Sequence, residues 1–294
     1  MTSEITPDTA GRARPLAAGL HFVATPIGAA RDITLRALDV LAGADLLAAE
    51  DTRTLRHLME IHGIALNGRP LLAYHDHNGA EMRPRILRAL AEGKSVAYAS
   101  EAGTPLVADP GYQLGRAAIA AGHAVLSVPG ASAVLAALTV SGLPSDRFFF
   151  AGFPPAQAGA RRRFLAECGA VPATLILYES PKRVHRLLTE MIELWGAARA
   201  AVLCRELTKR YEEVLRMPLA DLAAAVEGRT LKGEVVLLVD RDRDTRASAE
   251  TMEDALTEAM TRLSLKDAAT EVAERLGLPR REVYQAALQR SKAT

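Results

Sequence analysis

From Leu20 onward, short apolar runs alternate with longer stretches in which apolar residues recur every three or four positions. The runs Leu20–Ala24, Asp45–Ala49, Leu71–Tyr74, Ser95–Ser100 and Val125–Val128 have the length and composition of buried strands. Between them, Thr34–Ala42, Thr52–Ile61, Arg83–Ala91 and Tyr112–Ala121 carry helical spacing. Ser132–Ser141 adds a further helix, ended by Gly142-Leu143-Pro144. This alternation predicts an α/β domain over residues 19–142 with a mostly parallel sheet. A second αβ domain follows over residues 143–240. Its strands are Phe148–Phe153, Thr174–Tyr178, Ala201–Arg205, Glu213–Arg216 and Val235–Val239, and its helices Arg161–Cys168, Val184–Leu194 and Leu219–Val226. Spacing is less regular here, and a hairpin around Tyr211–Met217 predicts mixed strand directions. The charged run from Asp240 to Arg246 reads as a solvated linker. Beyond it, residues 249–294 form a small helical tail, in which Leu265–Leu276, Gly277-Leu278-Pro279 and Arg280–Leu288 give helix, turn and helix.

Composition adds limits. The chain has 294 residues, 49% of them apolar, enough for two cores. Thirty-six Lys and Arg against 35 Asp and Glu leave a net charge of +1, so any nucleic-acid contact must come from local patches. Two cysteines without paired spacing, Cys168 and Cys204, argue against a disulfide framework and a structural zinc site. Residues 1–18 mix Pro, Gly, Ser and both charge signs and read as a mobile tail, not a signal peptide. No apolar run approaches membrane-spanning length. A cytoplasmic location is expected.

Three turn-rich segments follow predicted strands of the first domain: Ala24-Thr25-Pro26-Ile27-Gly28, Ser100-Glu101-Ala102-Gly103-Thr104-Pro105 running on to Asp109-Pro110-Gly111, and Val128-Pro129-Gly130-Ala131-Ser132-Ala133. Glycine lets backbone approach a ligand closely, proline stiffens the turn, and small hydroxyls add donors and acceptors. Ligands of parallel sheets sit at carboxyl strand ends, so the three loops together describe a pocket. G-x-G-x-x-G after the first strand, a P-loop and a G-x-S-x-G elbow are all absent from the sequence, which excludes the common dinucleotide, P-loop and hydrolase signatures. His75 and His77 lie close together but lack a third residue at metal spacing, so a hydrogen-bonded loop or a substrate contact is expected there and no metal.

The order of Thr25-Pro26-Ile27-Gly28, Ala49-Glu50-Asp51-Thr52-Arg53, His75-Asp76-His77-Asn78, Ala102-Gly103-Thr104-Pro105, Asp109-Pro110-Gly111 and Gly142 through Phe148 resembles one family. So do Tyr178 through Arg183, Arg205 through Lys209 and Lys232-Gly233-Glu234. That family is the bacterial small-subunit (16S) ribosomal RNA cytidine 2′-O-methyltransferases of the tetrapyrrole methylase superfamily, and the resemblance covers about residues 20 to 290. It implies a two-domain, tetrapyrrole-methylase-like fold, a homodimer, and S-adenosylmethionine held between the domains by backbone groups of the loops. It places Pro26, Gly28, Glu101, Gly103, Thr104, Pro105, Gly130, Ala131, Ser132 and Tyr178 at the cofactor. Glu101 stands where the family generally has Asp, and Ala29 where it generally has Asn.

Methyl transfer to a hydroxyl needs a proton acceptor. The sequence leaves it open among Asp51, Glu101, Glu179, Glu206 and Lys209, the last only with a lowered pKa. Arg53, His75, His77, Lys182, Arg183 and Arg205 are the expected contacts to RNA, small-subunit rRNA or the assembled 30S particle being the expected partner. Glu50, Asp51 and Arg53 form either a polar cluster on the cleft or a helix start capped by Asp51 or Thr52. Arg161-Arg162-Arg163 reads as a phosphate grip or a solvated face. Arg280, Arg281, Tyr284 and Gln285 suit RNA contact or subunit packing.

Overall fold

A computed structural model of the chain describes residues 16–241 and 249–293. Five strands, β1 (Gly19–Val23), β2 (Leu46–Ala49), β3 (Leu71–Ala73), β4 (Ser95–Ala99) and β5 (Val125–Val128), form one sheet in the order β3-β2-β4-β1-β5. Every pairing in it is parallel. The residues of β1, β2 and β4 are buried on both faces, which is why they read as continuous apolar runs. Phe22, Ala48 and Tyr98 pack on one face with α3 (Gly79–Ala91) and α4 (Tyr112–Ala120). Val23, Ala49 and Ala97 pack on the other with α1 (Leu35–Gly43) and α2 (Thr52–Ile61).

The second sheet joins β6 (Phe148–Gly152), β7 (Thr174–Glu179), β8 (Ala200–Arg205), β9 (Glu213–Pro218) and β10 (Val235–Val239) in the order β6-β7-β10-β8-β9. Only β6 and β7 run parallel, as the hairpin signal implies. One face buries Leu175, Leu177 and Leu203 beneath α6 (Ala158–Gly169), α7 (Val184–Trp195) and α8 (Leu219–Val226). The opposite face sets Ile176, Val202, Cys204 and Val236 against Ile27 and against Val134 and Ala137 of α5 (Ala133–Ser141). This shared core joins the two αβ units beside the first loop.

Three helices, α9 (Ala249–Met260), α10 (Leu265–Leu276) and α11 (Arg280–Ala293), close on their own core of Leu256, Val272, Val283 and small alanines. Ser264 caps α10, and Gly277 ends it in the left-handed conformation.

Several expected boundaries move. Helix α9 lies ahead of the expected helix–turn–helix pair and completes its core. Helix α3 begins at Gly79, four residues before the expected Arg83, because Asn78 receives the His75 N–H and donates to Ala73 O, turning the chain early. At the end of the expected mobile tail, Leu16 packs on the core beneath α1, and the His21 ring bonds Ala17 O. Residues 1–15 of that tail and 242–246 of the expected linker lie outside the described residues.

Candidate functional site

The three loops at the carboxyl ends of β1, β4 and β5 interlock. Thr25 and Gly103 exchange both backbone hydrogen bonds at 3.0 Å. Thr25 Oγ1 donates to Ser100 O, Ser100 Oγ donates to Gly103 O, and Thr104 Oγ1 donates to Ala131 O at 2.9 Å. The glycines serve this packing. Gly103 has φ +78°, and a Cβ there would sit 3.2 Å from Ile27; a Cβ on Gly130 would sit 3.0 Å from Ala24. Gly28, expected at the cofactor, takes its place for another reason. An added Cβ would fall 2.5 Å from Lys209 Cγ and 3.0 Å from Leu207 O, so Gly28 admits the loop after β8. The bond from Ala29 N–H to Thr208 Oγ1 completes that junction.

Beside the first and third loops lies a cavity of about 380 Å³ lined by Ile27, Gly130, Ala131, Ser132, Leu135 and Thr208 among others. Its size and mixed lining fit a small organic ligand with an apolar ring system and polar substituents. Tyr178 packs into the shared core with Val134 at the start of α5 and edge-on against Phe150 and Phe153. Burial pushes its hydroxyl pKa up to about 12. S-adenosylmethionine fits these surroundings: Gly130, Ala131, Ser132 and Ile27 would hold it on backbone and small side chains. Strain gathers here as well. Of the five described non-glycine residues with positive φ, Leu106 and Ala108 follow the second loop, and Glu206 and Thr208 lie on the loop against Gly28.

The expected proton acceptors separate on inspection. Asp51 caps α2, accepting Arg53 N–H at 2.7 Å, and its carboxylate also takes the Arg53 side chain; these bonds hold it down to about 2. Arg53 itself is 91% exposed. Glu179 follows the strand alternation onto the helix-covered face of the second sheet, opposite Tyr178. Its side chain is 1% exposed, and Oε1 receives Ser180 N–H and Arg183. Glu179 is thus a buried anchor for Arg183, whose side chain keeps 34% of its exposure. Glu206 receives Lys209 Nζ and Glu234 N–H at 3.0 Å. Burial alone would lower the Lys209 pKa, but its bonds to Glu206 and Glu234 outweigh that and raise it, so the lowered pKa required of a lysine base is not met. Glu101 is exposed at the second loop.

Glu50, which the sequence left between cleft and helix start, follows β2 and precedes the cap. It is half-buried and makes no hydrogen bond or ion pair with the described residues. Burial raises its pKa, as do Asp109, Glu101, Asp76 and Asp51 around it. Asp109 accepts Tyr98 O–H at 2.9 Å and Gly111 N–H at 2.8 Å. His75 and His77 meet edge-on at 6.0 Å near the same rim, and no cluster with metal-binding composition occurs among the described residues.

The basic residues divide in the same way. Arg161, read as a phosphate grip or part of a solvated face, is 3% exposed, bonded through two nitrogens to Glu190 and to the carbonyls of Pro155 and Ala156. Arg162 pairs with Glu193. Arg205 is tied to Glu213, which also takes Arg229. Lys182 is exposed and has no acidic partner among the described residues.

With this geometry in place, the relationships to known proteins can be read. Residues 19–223 match the model of the Tetrapyrrole (Corrin/Porphyrin) Methylases, and the chain belongs to that family. Residues 246–291 match the RsmI C-terminal HTH domain. The chain is 46% identical over 281 residues to a protein of Mesorhizobium japonicum named Ribosomal RNA small subunit methyltransferase I, spanning 94% of each chain. A protein of the same name from Xylella fastidiosa (strain Temecula1) is 45% identical, over 90% of this chain and 97% of its own. Among solved structures, cobalt precorrin-4 methyltransferase shares the fold, with a TM-score of 0.57 at 20% identity, over 75% of this chain and 94% of that one. No described helix is long and apolar enough to cross a membrane.

Proposed function

We propose that the chain transfers the methyl group of S-adenosylmethionine to the ribose 2′-hydroxyl of a cytidine in small-subunit (16S) ribosomal RNA, in the cytoplasm and as a homodimer. It is a methyltransferase that uses S-adenosylmethionine and acts on ribosomal RNA. The cofactor supplies an already activated methyl group, so the protein forms no covalent intermediate. Its task is to hold donor, methyl carbon and acceptor oxygen in line, an effect worth several kcal/mol, on the order of the proximity contribution.

The observation that carries the reading is the locked set of three small-residue loops beside a cavity at the join of the two αβ units. Rigid backbone around the cavity fixes the cofactor, while Glu50, Glu101 and the exposed Arg53 stand along the rim where an acceptor would enter. Lys182 offers an unpaired cation for a phosphate. Arg280, Arg281 and the half-exposed Tyr284 on α11 offer a further RNA contact, with cations for phosphates and a ring for stacking. Such a set reads RNA shape and backbone, so an assembled 30S particle should be a better substrate than a short free RNA.

The test uses 30S particles reconstituted with a 2′-deoxycytidine at the mapped target nucleotide. Tritium from methyl-labelled S-adenosylmethionine should enter the ribose-containing particle and not the deoxy one. Label in the deoxy particle would place the methyl on a base and overturn the reading.

A further inference from the structure

We propose that Glu50 is the catalytic base, accepting the 2′-hydroxyl proton as the methyl group reaches the ribose oxygen. The inference rests on the reaction proposed above. In that step the O–C bond forms as the S–C bond breaks. The S–C electron pair stays on sulfur, leaving a neutral thioether, and the hydroxyl proton passes to a Glu50 carboxylate oxygen.

Glu50 directly follows Ala49, which pairs with Ala99 of β4 on one side and Ala73 of β3 on the other. It thus stands at the carboxyl edge of the sheet, one strand over from the loop that runs from Ser100 through the Gly103 bridge to Asp109. Strand alternation places it on the Ala48 face, with Tyr98 and Asp109. The same loop therefore binds the third loop at Thr104 and brings Asp109 close enough to Glu50 for their charges to interact.

A base needs an open lone pair. The carboxylates of Asp51, Glu179 and Glu206 are each bonded to a cation, Glu179 keeping an unpartnered Oε2 that is sealed in the interior at 1% side-chain exposure, and Lys209 remains charged. Glu50 accepts nothing from the described residues. It is also less exposed than Glu101, so water competes less for it. The groups facing Glu50 are acids, Asp109, Glu101, Asp76 and Asp51, together with the Tyr98 hydroxyl. Arg53, on the same rim, is bonded to Asp51, and His75 and His77 lie nearby; the surrounding carboxylates outweigh them and strengthen the hold of Glu50 on a proton.

Glu50→Gln and Glu50→Asp test the assignment in single-turnover methylation of 30S particles, with the modified nucleoside identified in each case. Glu50→Gln should lose about 100-fold or more in rate at pH 7, the lower range for removing a general base. Its remaining rate should climb with pH without the plateau of the parent. Cofactor affinity by calorimetry should stay within about threefold, a margin that separates lost chemistry from lost binding. Glu50→Asp keeps a carboxylate and should recover much of the rate, with a plateau. A Gln variant within about fivefold of the parent, with the parental pH profile, overturns the proposal. So does an Asp variant as slow as the Gln variant while binding cofactor normally. If the parent's own methyl is found on a base, both this proposal and the reaction it rests on fall; methyl on ribose with an active Gln variant removes Glu50 alone.

Discussion

At the carboxyl edge of the first sheet, the carboxyl groups of Glu50 and Glu101 have no bonded cation among the described residues. Across the cleft, the second αβ unit ties its charges to partners: Glu179 to Arg183, Glu206 and Glu234 to Lys209, Glu213 to Arg205 and Arg229, and Glu190 to Arg161. The two regions carry similar residue types. They differ in whether the carboxylates beside the cavity are neutralised within the fold; Lys182, exposed, is left without an acidic partner among the described residues. Paired groups fix loops and helices, whereas unpaired groups at a ligand edge remain free for proton transfer and contact. The local exception, Asp51 with Arg53, is a helix cap.

The comparison can be broken most severely at Arg161. Glu190→Ala leaves a 3%-exposed guanidinium with only carbonyl partners, and should lower unfolding free energy by about 3 kcal/mol in urea titration. A loss near zero would mean that pairing is not what holds α6 to α7. Gly28→Val should follow at about 2 kcal/mol, because the loop of Leu207 to Lys209 must retreat from the new side chain. It should also weaken cofactor binding by disturbing the join beside the cavity. Parental calorimetry would show that this junction is remote from the cofactor.

These two sites also show what the sequence could and could not reveal. The strand–helix alternation and the three strand-end loops were legible because apolar period and turn chemistry are local. The loop that Gly28 admits is about 180 positions away, so this second demand on the glycine could not be read beside it. Arg161 read as a phosphate grip or a solvated face because its partner Glu190 lies on the next helix, and Glu179 stayed one of five candidate bases because one residue of strand register decides its face. Glu50 was visible as a polar residue at a strand end. Its lack of a partner became visible only once the chain had folded.

A smaller effect sharpens the contrast through pH. Burial and the neighbouring carboxylates raise the Glu50 pKa on folding. Ionising it therefore costs stability, a penalty absent below the unfolded carboxylate range and complete above the folded pKa. Glu50→Gln should be more stable than the parent at pH 7 and equal to it near pH 3, as read from urea midpoints. No pH dependence in the difference would contradict its unpaired state. Smaller still, Asp51 should titrate at about 2 by carbon NMR, and Arg53→Ala should return it toward the ordinary aspartate range. The sign is opposite: a depressed pKa stabilises above the unfolded value, and that gain is lost as pH falls toward 2. Because the pair is exposed, the shift in titration is the readout, not stability.

The central claim concerns the acceptor, and nucleoside mass spectrometry tests it most directly. Unmethylated 30S particles would be incubated with the purified chain and deuteromethyl S-adenosylmethionine, and the rRNA digested to nucleosides. The account predicts deuterium in 2′-O-methylcytidine, with the label on the ribose fragment and one site per particle. Label on the cytosine ring, or none in rRNA while a tetrapyrrole offered in parallel becomes methylated, would contradict it.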